Sequence, residues 1–283
     1  MDRLLAGQAA LTAELAATEE AAAAAAEAIL TTDLVSKQYA LETQIGDRMV
    51  RLGGMAKGSG MIHPDMATML AFITCDAGVD PQWWQRTLQA AVDGSFNAVT
   101  VDGDTSTNDT VLAFAAGAPL ATEHLPQLAL GLECLCCDRA RAIARDGEGA
   151  TCLLEVTVSG TATAAEARTM ARTICGSSLV KTAIHGRDPN WGRVAMAVGK
   201  CYEDDILAER ITIRFGEAEV YPAPITPRVL EELERYLASP EVLIHVNLGV
   251  PGDGPHSLET GSFTVYGCDL TDGYVRINAD YTT

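Results

Sequence analysis

Positive charge is scarce in this chain. Lys and Arg number 20 against 38 Asp and Glu, a formal charge of −18 that the five His cannot reverse. A surface of that sign has no footprint for phosphate backbones or anionic lipid, which argues against nucleic acid and membrane surfaces as partners. Long apolar runs are missing too. None approaches the ~20 residues of a membrane span, and Met1-Asp2-Arg3-Leu4-Leu5 starts no basic stretch followed by a hydrophobic segment and cleavage site. The expectation is a soluble cytoplasmic protein. Eight cysteines in 283 residues make no disulfide scaffold, and Cys75, Cys152 and Cys175 sit inside apolar stretches as buried thiols would. Cys134, Cys136 and Cys137 hint at a metal cluster, but two are adjacent and no CxxC or HxxxH partner completes a tetrahedral site. His63, His124, His185, His245 and His256 are scattered without ligand spacing. No metal site is expected.

Familiar catalytic and nucleotide motifs are equally absent: there is no GxGxxG, GxSxG or HExxH. Lys57-Gly58-Ser59-Gly60-Met61 has the look of a phosphate loop, yet its Lys precedes the glycines, and a Pro and then a strand follow instead of a helix. Asp102 to Asp109 imitates a Ca²⁺ loop without the required distal Glu, so it reads as capping turns.

What is present is apolar material, 48% of residues, enough for one large core or two modest ones. The alanine-dominated stretch Asp2 to Leu30 predicts one helix. Ala40–Ile45, Gly46-Asp47 and Met49–Leu52 predict a β-hairpin, Gly53–Pro64 a loop, and Met69–Cys75 a buried strand. Asp80-Pro81 starts a helix running to Val92, and Asn97–Val101 is a short strand. Helices are expected at Val111–Ala116, Leu125–Arg145, Ala164–Ile174, after Pro189, and at Pro227–Ala238. Strands are expected at Thr151–Val158, Leu179–Ile184, Ile211–Phe215, Val242–Leu248, Ser262–Tyr266 and Tyr274–Asn278. Strict βαβ alternation is not kept, which favours layered α/β with mixed or antiparallel sheets over a Rossmann fold. A soft boundary falls near Gly160–Ala165, dividing the chain into 1–160 and 161–283.

Thr68 stands where a Gly/Pro segment meets a core strand. Such a hydroxyl can attack its preceding carbonyl, break the chain and emerge as an N-terminal residue. A free α-amine titrates near ~7.7–8.0, so near neutral pH it can take the proton of its own side-chain hydroxyl. The nucleophile then carries its own base.

The blocks TTD, KGSGMIHPDMATMLAFIT, GEGAT, GRDPNWGR and NADYTT occur in that order along the chain. Together they resemble ornithine acetyltransferase, or bifunctional glutamate N-acetyltransferase, of arginine biosynthesis. The resemblance implies a layered αββα sandwich with mixed or antiparallel sheets, plus a smaller C-terminal α/β domain whose tail contributes to the active site. It implies self-cleavage between Ala67 and Thr68, giving an α chain 1–67 and a β chain from Thr68 that stay associated, two of each. Thr68 is then the nucleophile that takes acetyl from N2-acetyl-L-ornithine and passes it to L-glutamate by a ping-pong route. No cofactor is implied, although acetyl-CoA can be an alternative donor. Thr31, Lys57, Thr68, Glu148, Asn278 and Thr283 carry over as substrate-binding residues, with Lys57 toward a carboxylate and Glu148 toward an amino group. Asp188-Pro189-Asn190-Trp191-Gly192 is expected to be a structural turn lining the pocket.

Two positions beside the cleavage point depart from the pattern. His63 replaces a small residue, and Asp65 replaces Asn, an acid able to tune self-cleavage. Family members also begin with an upstream segment that supplies first-domain strands and a Thr-Gly oxyanion hole, which this sequence does not contain. Losing one such donor costs ~10²- to 10³-fold in rate. Two other readings therefore stand beside the transferase: an N-terminal-threonine amidase or aminopeptidase-like hydrolase, and an inactive protein that keeps the fold.

Overall fold

The computed structural model describes residues 2–63, 69–201, 206–250 and 261–280. The alanine-rich start is two helices, α1 (Asp2–Ala13) and α2 (Glu19–Ala28), not one. Thr18 breaks the run: its backbone is extended, its side chain accepts from Ala21 N, and Glu19 and Glu20 fill the first turn that follows. A capped start with acids at the dipole's positive end is a new helix rather than a continuation.

Strands β1 (Lys37–Ile45) and β2 (Arg48–Lys57) form the expected hairpin, turning at Gly46 with φ +62°. The strand β2 runs through Gly53 and Gly54 to Lys57, where a loop was expected. The glycines serve packing here: a Cβ on Gly54 would lie 2.8 Å from Leu135 Cδ2. The missing side chain of Gly54 lets helix residue Leu135 approach the strand, while Gly53 leaves room for Thr74 Oγ1 of the neighbouring strand. Next come β3 (Leu70–Gly78), α3 (Pro81–Asp93), β4 (Val99–Thr100) and β5 (Thr110–Pro119). The last corrects the expected helix Val111–Ala116. Its short apolar run is ambiguous in period, and parallel pairing with β3 from Leu70↔Thr110 onward decides for strand.

Further along are α4 (Leu125–Arg145), β6 (Leu153–Thr161), α5 (Ala164–Cys175), α6 (Ser178–His185) and α7 (Trp191–Val198). The expected strand Leu179–Ile184 is helix α6. Ser177 caps it by accepting from Val180 N, and Val180, Ala183 and Ile184 are buried at helical spacing. Strands β7 (Thr212–Phe215) and β8 (Ala218–Tyr221), helix α8 (Pro227–Leu237), strands β9 (Glu241–Asn247) and β10 (Gly261–Cys268), and helix α9 (Asp272–Asp280) complete the described chain. Helix α9 replaces the expected strand Tyr274–Asn278. Thr271 Oγ1 accepts from Gly273 N at 3.0 Å at its start, and no sheet edge pairs with it among the described residues.

Two mixed sheets result, as a layered α/β chain requires. One has the order β1-β2-β3-β5, the other β4-β10-β6-β9-β7-β8. Helix α4 touches both. Its Leu128, Leu132 and Leu135 pack with Val50, Leu52, Ala71 and Ile73 in one core. From its other side Arg141 pairs with Glu155 on β6 and Glu241 on β9. The opposite face of the six-stranded sheet supplies Val156, Val158, Ile244 and Val246 to a second core closed by Met170 and Ile174 of α5. The first sheet's remaining face is partly covered by α2, leaving a cavity of about 500 Å³ lined by Ala22, Ala25, Met55 and Phe72.

Candidate active site

The Asp of TTD organises the site from beneath. Asp33 Oδ1 accepts from Lys37 Nζ at 2.6 Å and from Gly58 N at 2.7 Å, and Oδ2 accepts from Thr31 N at 3.2 Å. Burial pushes the Asp33 carboxyl up, but the Gly58 amide and Lys37 outweigh it and hold the group below its ordinary range. Lys37, 2% exposed, also donates to Asp146 Oδ2 at 2.6 Å. Asp146 Oδ2 takes Leu34 N at 3.1 Å, and its backbone carbonyl takes Ser59 Oγ at 2.6 Å. One buried ammonium between two carboxylates thus ties residues 31–35, the glycine-rich segment after Lys57 and the turn before Glu148 into one cluster.

Above that cluster, Glu148 N donates to Ser59 O at 2.9 Å. Its Oε2 accepts from Asn278 Nδ2 at 2.8 Å. Gly60 lies against its carboxyl so closely that a Cβ there would stand 2.3 Å from Glu148 Cδ. Helix α9 reaches this point because Thr271 Oγ1 donates to Gly149 O at 2.6 Å, and because Gly149, at φ +69°, leaves room that a Cβ would deny to Tyr274 N. Burial, with Asp102, Asp104 and Glu148 nearby, pushes the Tyr274 hydroxyl up to about 12.

Both flanks of the segment that contains Thr68 are held by the stretch 102–109. Asp102 Oδ2 accepts from Met61 N at 2.7 Å and Oδ1 from Ile62 N at 3.1 Å, while His63 Nδ1 meets Thr100 Oγ1 at 3.0 Å. Burial raises the Asp102 carboxyl despite those amide bonds. On the other flank Asp109 Oδ1 accepts from Met69 N at 2.7 Å. Burial raises Asp109 to about 6, against the pull of the Met69 amide and the Lys57 charge. Lys57 ends β2 directly opposite Leu70.

Of the residues singled out from sequence, Glu148 and Asn278 are in direct contact, and Thr31 and the residue after Lys57 share the Asp33 carboxylate. Thr31 itself is exposed. Thr68, the Ala67-Thr68 bond, Asp65 and Thr283 lie outside the described residues. The GRDPNWGR block is a turn: Asn190 caps α7 by accepting from Arg193 N, and Trp191 stacks on Tyr221 at 4.8 Å between ring centroids. Cys75, Cys152 and Cys175 are buried free thiols. Among the described residues, no helix is long and apolar enough to cross a membrane.

Sequence reasoning missed Asp33, Lys37, Asp146, Asp102 and Asp109. Asp33 belonged to a quoted block and could have been weighed. The paired acids at the two ends of 102–109 were visible but read as caps.

Residues 1–283 match the model of the ArgJ family. The chain belongs to the ArgJ family. It is 55% identical to the arginine biosynthesis bifunctional protein ArgJ of Parasynechococcus marenigrum (strain WH8102), over 100% of this chain and 67% of that protein. It is 54% identical to the protein of the same name from Prochlorococcus marinus (strain MIT 9313), over 100% of this chain and 66% of the relative. This ArgJ-family chain therefore spans about two thirds of the length of the curated relatives it matches. Its fold resembles a crystal structure of the bifunctional protein ArgJ from Bacillus halodurans, with TM-score 0.67 and 42% identity, covering 74% of this chain and 98% of that one.

Proposed function

We propose that this chain carries the acyl-transfer centre that moves the acetyl group of N2-acetyl-L-ornithine to L-glutamate in arginine biosynthesis, through an acetyl ester on Thr68. The observation that carries the reading is the placement of Glu148 between Gly60 and Asn278, joined by Ser59 to the strand end that bears Lys57. An α-amino-acid substrate presents one ammonium and one carboxylate. An acid and a base held on one connected scaffold are the matching set.

The chemistry begins with the chain itself. Thr68 Oγ attacks the Ala67 carbonyl, the Ala67–Thr68 C–N bond breaks as the acyl group shifts to oxygen, and water hydrolyses the ester. This leaves a carboxylate on Ala67 and a free hydroxyl and α-amine on Thr68. The hydroxyl then attacks the acetyl carbonyl of acetylornithine while the α-amine takes its proton and returns it to the departing ornithine amine. The glutamate amine next attacks the acetyl ester and restores the hydroxyl. No oxidation state changes in either exchange, so neither requires a redox group.

Cleavage need not separate the pieces. Strand β2, before the break, pairs with β3, after it, from Leu52↔Cys75 to Lys57↔Leu70. The relatives' printed description as bifunctional favours acetyl-CoA as a second donor to the same oxygen. Association of two α with two β chains belongs to the same proposal.

The test is incubation with isotope-labelled acetylornithine followed by a glutamate chase. A label on the fragment starting at Thr68, chased into N-acetylglutamate, supports the transferase. Acetate release independent of glutamate would assign a hydrolase instead, and no adduct at all would leave an inactive protein that keeps the fold.

A further inference from the structure

Met61 holds a backbone conformation that side chains disfavour. Its φ is +54°, in the left-handed region, and it directly follows the glycine that packs on the Glu148 carboxyl. The Met61 side chain is exposed, so packing does not impose that conformation. Such a residue persists only where its surroundings over-determine it. Here one carboxylate does so. Asp102 Oδ2 accepts from Met61 N at 2.7 Å and Oδ1 from Ile62 N at 3.1 Å, while Ile62 O accepts from Val101 N at 2.8 Å. Asp102 Oδ1 also accepts from Asp104 N at 3.1 Å, which fixes the carboxylate in its own turn. Behind it the buried Lys181 of α6 donates to Val101 O at 2.7 Å. Val101 in turn packs on the turn that bears Glu148, where a Cβ on Gly147 would stand 3.2 Å from Val101 Cγ1.

Residues 59–62 are thus pinned at both ends. At one end Ser59 O accepts from Glu148 N, and Ser59 Oγ donates to Asp146 O. At the other, Asp102 holds two consecutive amides. Gly60 lies between the pins, as the wall against which the Glu148 carboxyl rests. We infer that Asp102 is a positioning residue for the Glu148 carboxylate: by holding the Met61 and Ile62 amides it keeps the left-handed turn closed and Gly60 seated on the acid that meets the substrate ammonium. The inference rests on the transferase reading above and deepens it. Without the carboxylate, Met61 relaxes toward negative φ and carries Gly60 off Glu148. The acid then keeps its charge and its bond to Asn278 but loses its wall. Position is lost and the reacting atoms are untouched, so the loss falls on substrate binding.

The test measures kcat and KM for acetylornithine, per cleaved chain, in Asp102→Asn, in Met61→Gly, in the two combined, and in Asp102→Asn combined with Glu148→Gln. Asn offers one acceptor oxygen and turns an NH₂ toward the second amide, so the turn loses a bond. The expected result for Asp102→Asn is KM up ~10-fold with kcat within about threefold. Glycine adopts positive φ freely, so adding Met61→Gly should bring KM back to within about threefold of the unaltered chain. In a Glu148→Gln background Asp102→Asn should cost no more than about twofold further, because the two act through one carboxylate. Unchanged KM, an equal loss in the Glu148→Gln background, or no recovery with Met61→Gly would overturn the assignment while leaving the transferase reading intact. An Asp102→Asn chain that does not fold or does not cleave also overturns it, by giving the carboxylate a role in the chain as a whole. An unaltered chain that transfers no acetyl from acetylornithine overturns both.

Discussion

Asn278 Nδ2 donates to Glu148 Oε2 at 2.8 Å, bringing a side chain of the last described helix onto a turn 130 residues earlier. The contact fixes one carboxylate oxygen, and under the proposed transferase reading the other, Oε1, meets a substrate ammonium. Glu148→Gln keeps shape and removes charge. A hydrogen bond to a charged group is worth ~1.5–3 kcal/mol, so kcat/KM for acetylornithine should fall ~10- to 100-fold with the unfolding temperature little changed. Steady-state kinetics with thermal unfolding checks this.

Gly60 is required by the same carboxylate. Since a Cβ there would stand 2.3 Å from Glu148 Cδ, Gly60→Ala must push Glu148 off its place while leaving the backbone bond of Glu148 N to Ser59 O intact. The expected outcome is a folded protein, by circular dichroism, with kcat/KM reduced about as far as in Glu148→Gln.

Lys37 holds two carboxylates that have no other cation in the cluster described above. Removing one member of a buried ion pair costs ~3–5 kcal/mol, because the remaining charges stay buried and unpaired. Lys37→Met should therefore be severely destabilised in urea, and adding Asp33→Asn and Asp146→Asn should recover a large part of the loss.

Asp109 predicts a pH dependence of stability with a definite sign. Its carboxyl is raised from 3.8 to about 6 by burial, so between those values the folded chain holds a proton that the unfolded chain has released. Falling pH stabilises the fold through this group, and ionisation above about pH 6 costs stability. Asn is neutral throughout. In a Thr68→Ala background, which stays uncut under the self-cleaving reading, adding Asp109→Asn should raise the unfolding temperature at pH 8 and change it little at pH 3, below both values.

Much of the fold was legible because capped, amphipathic segments announce themselves. Asp80-Pro81 marked α3, where Asp80 accepts from the amide of Trp83, and Pro227 began the expected helix that α8 forms, where Thr226 accepts from the amide of Val229. The errors fell on short apolar runs. Thr110–Pro119 and Ser178–His185 carry similar compositions and differ in what they pair with: one finds β3 alongside, the other a cap at Ser177. The partner strand is distant in sequence, whereas the Ser177 cap stands directly before its helix. The family blocks led to Glu148 and Asn278, but the residues that hold the site together escaped. Nothing in the sequence singles out Lys37, because its partner Asp146 is 109 positions away. Asp109 looked like a helix cap because its partner, the Met69 amide, is a backbone group with no signature of its own.

The intact mass of the purified chain tests the account most directly. Self-cleavage predicts two co-purifying fragments, 1–67 and 68–283, and a single full-length species for Thr68→Ala. A single uncut species from the unaltered chain, retained through purification and incubation at neutral pH, would contradict it.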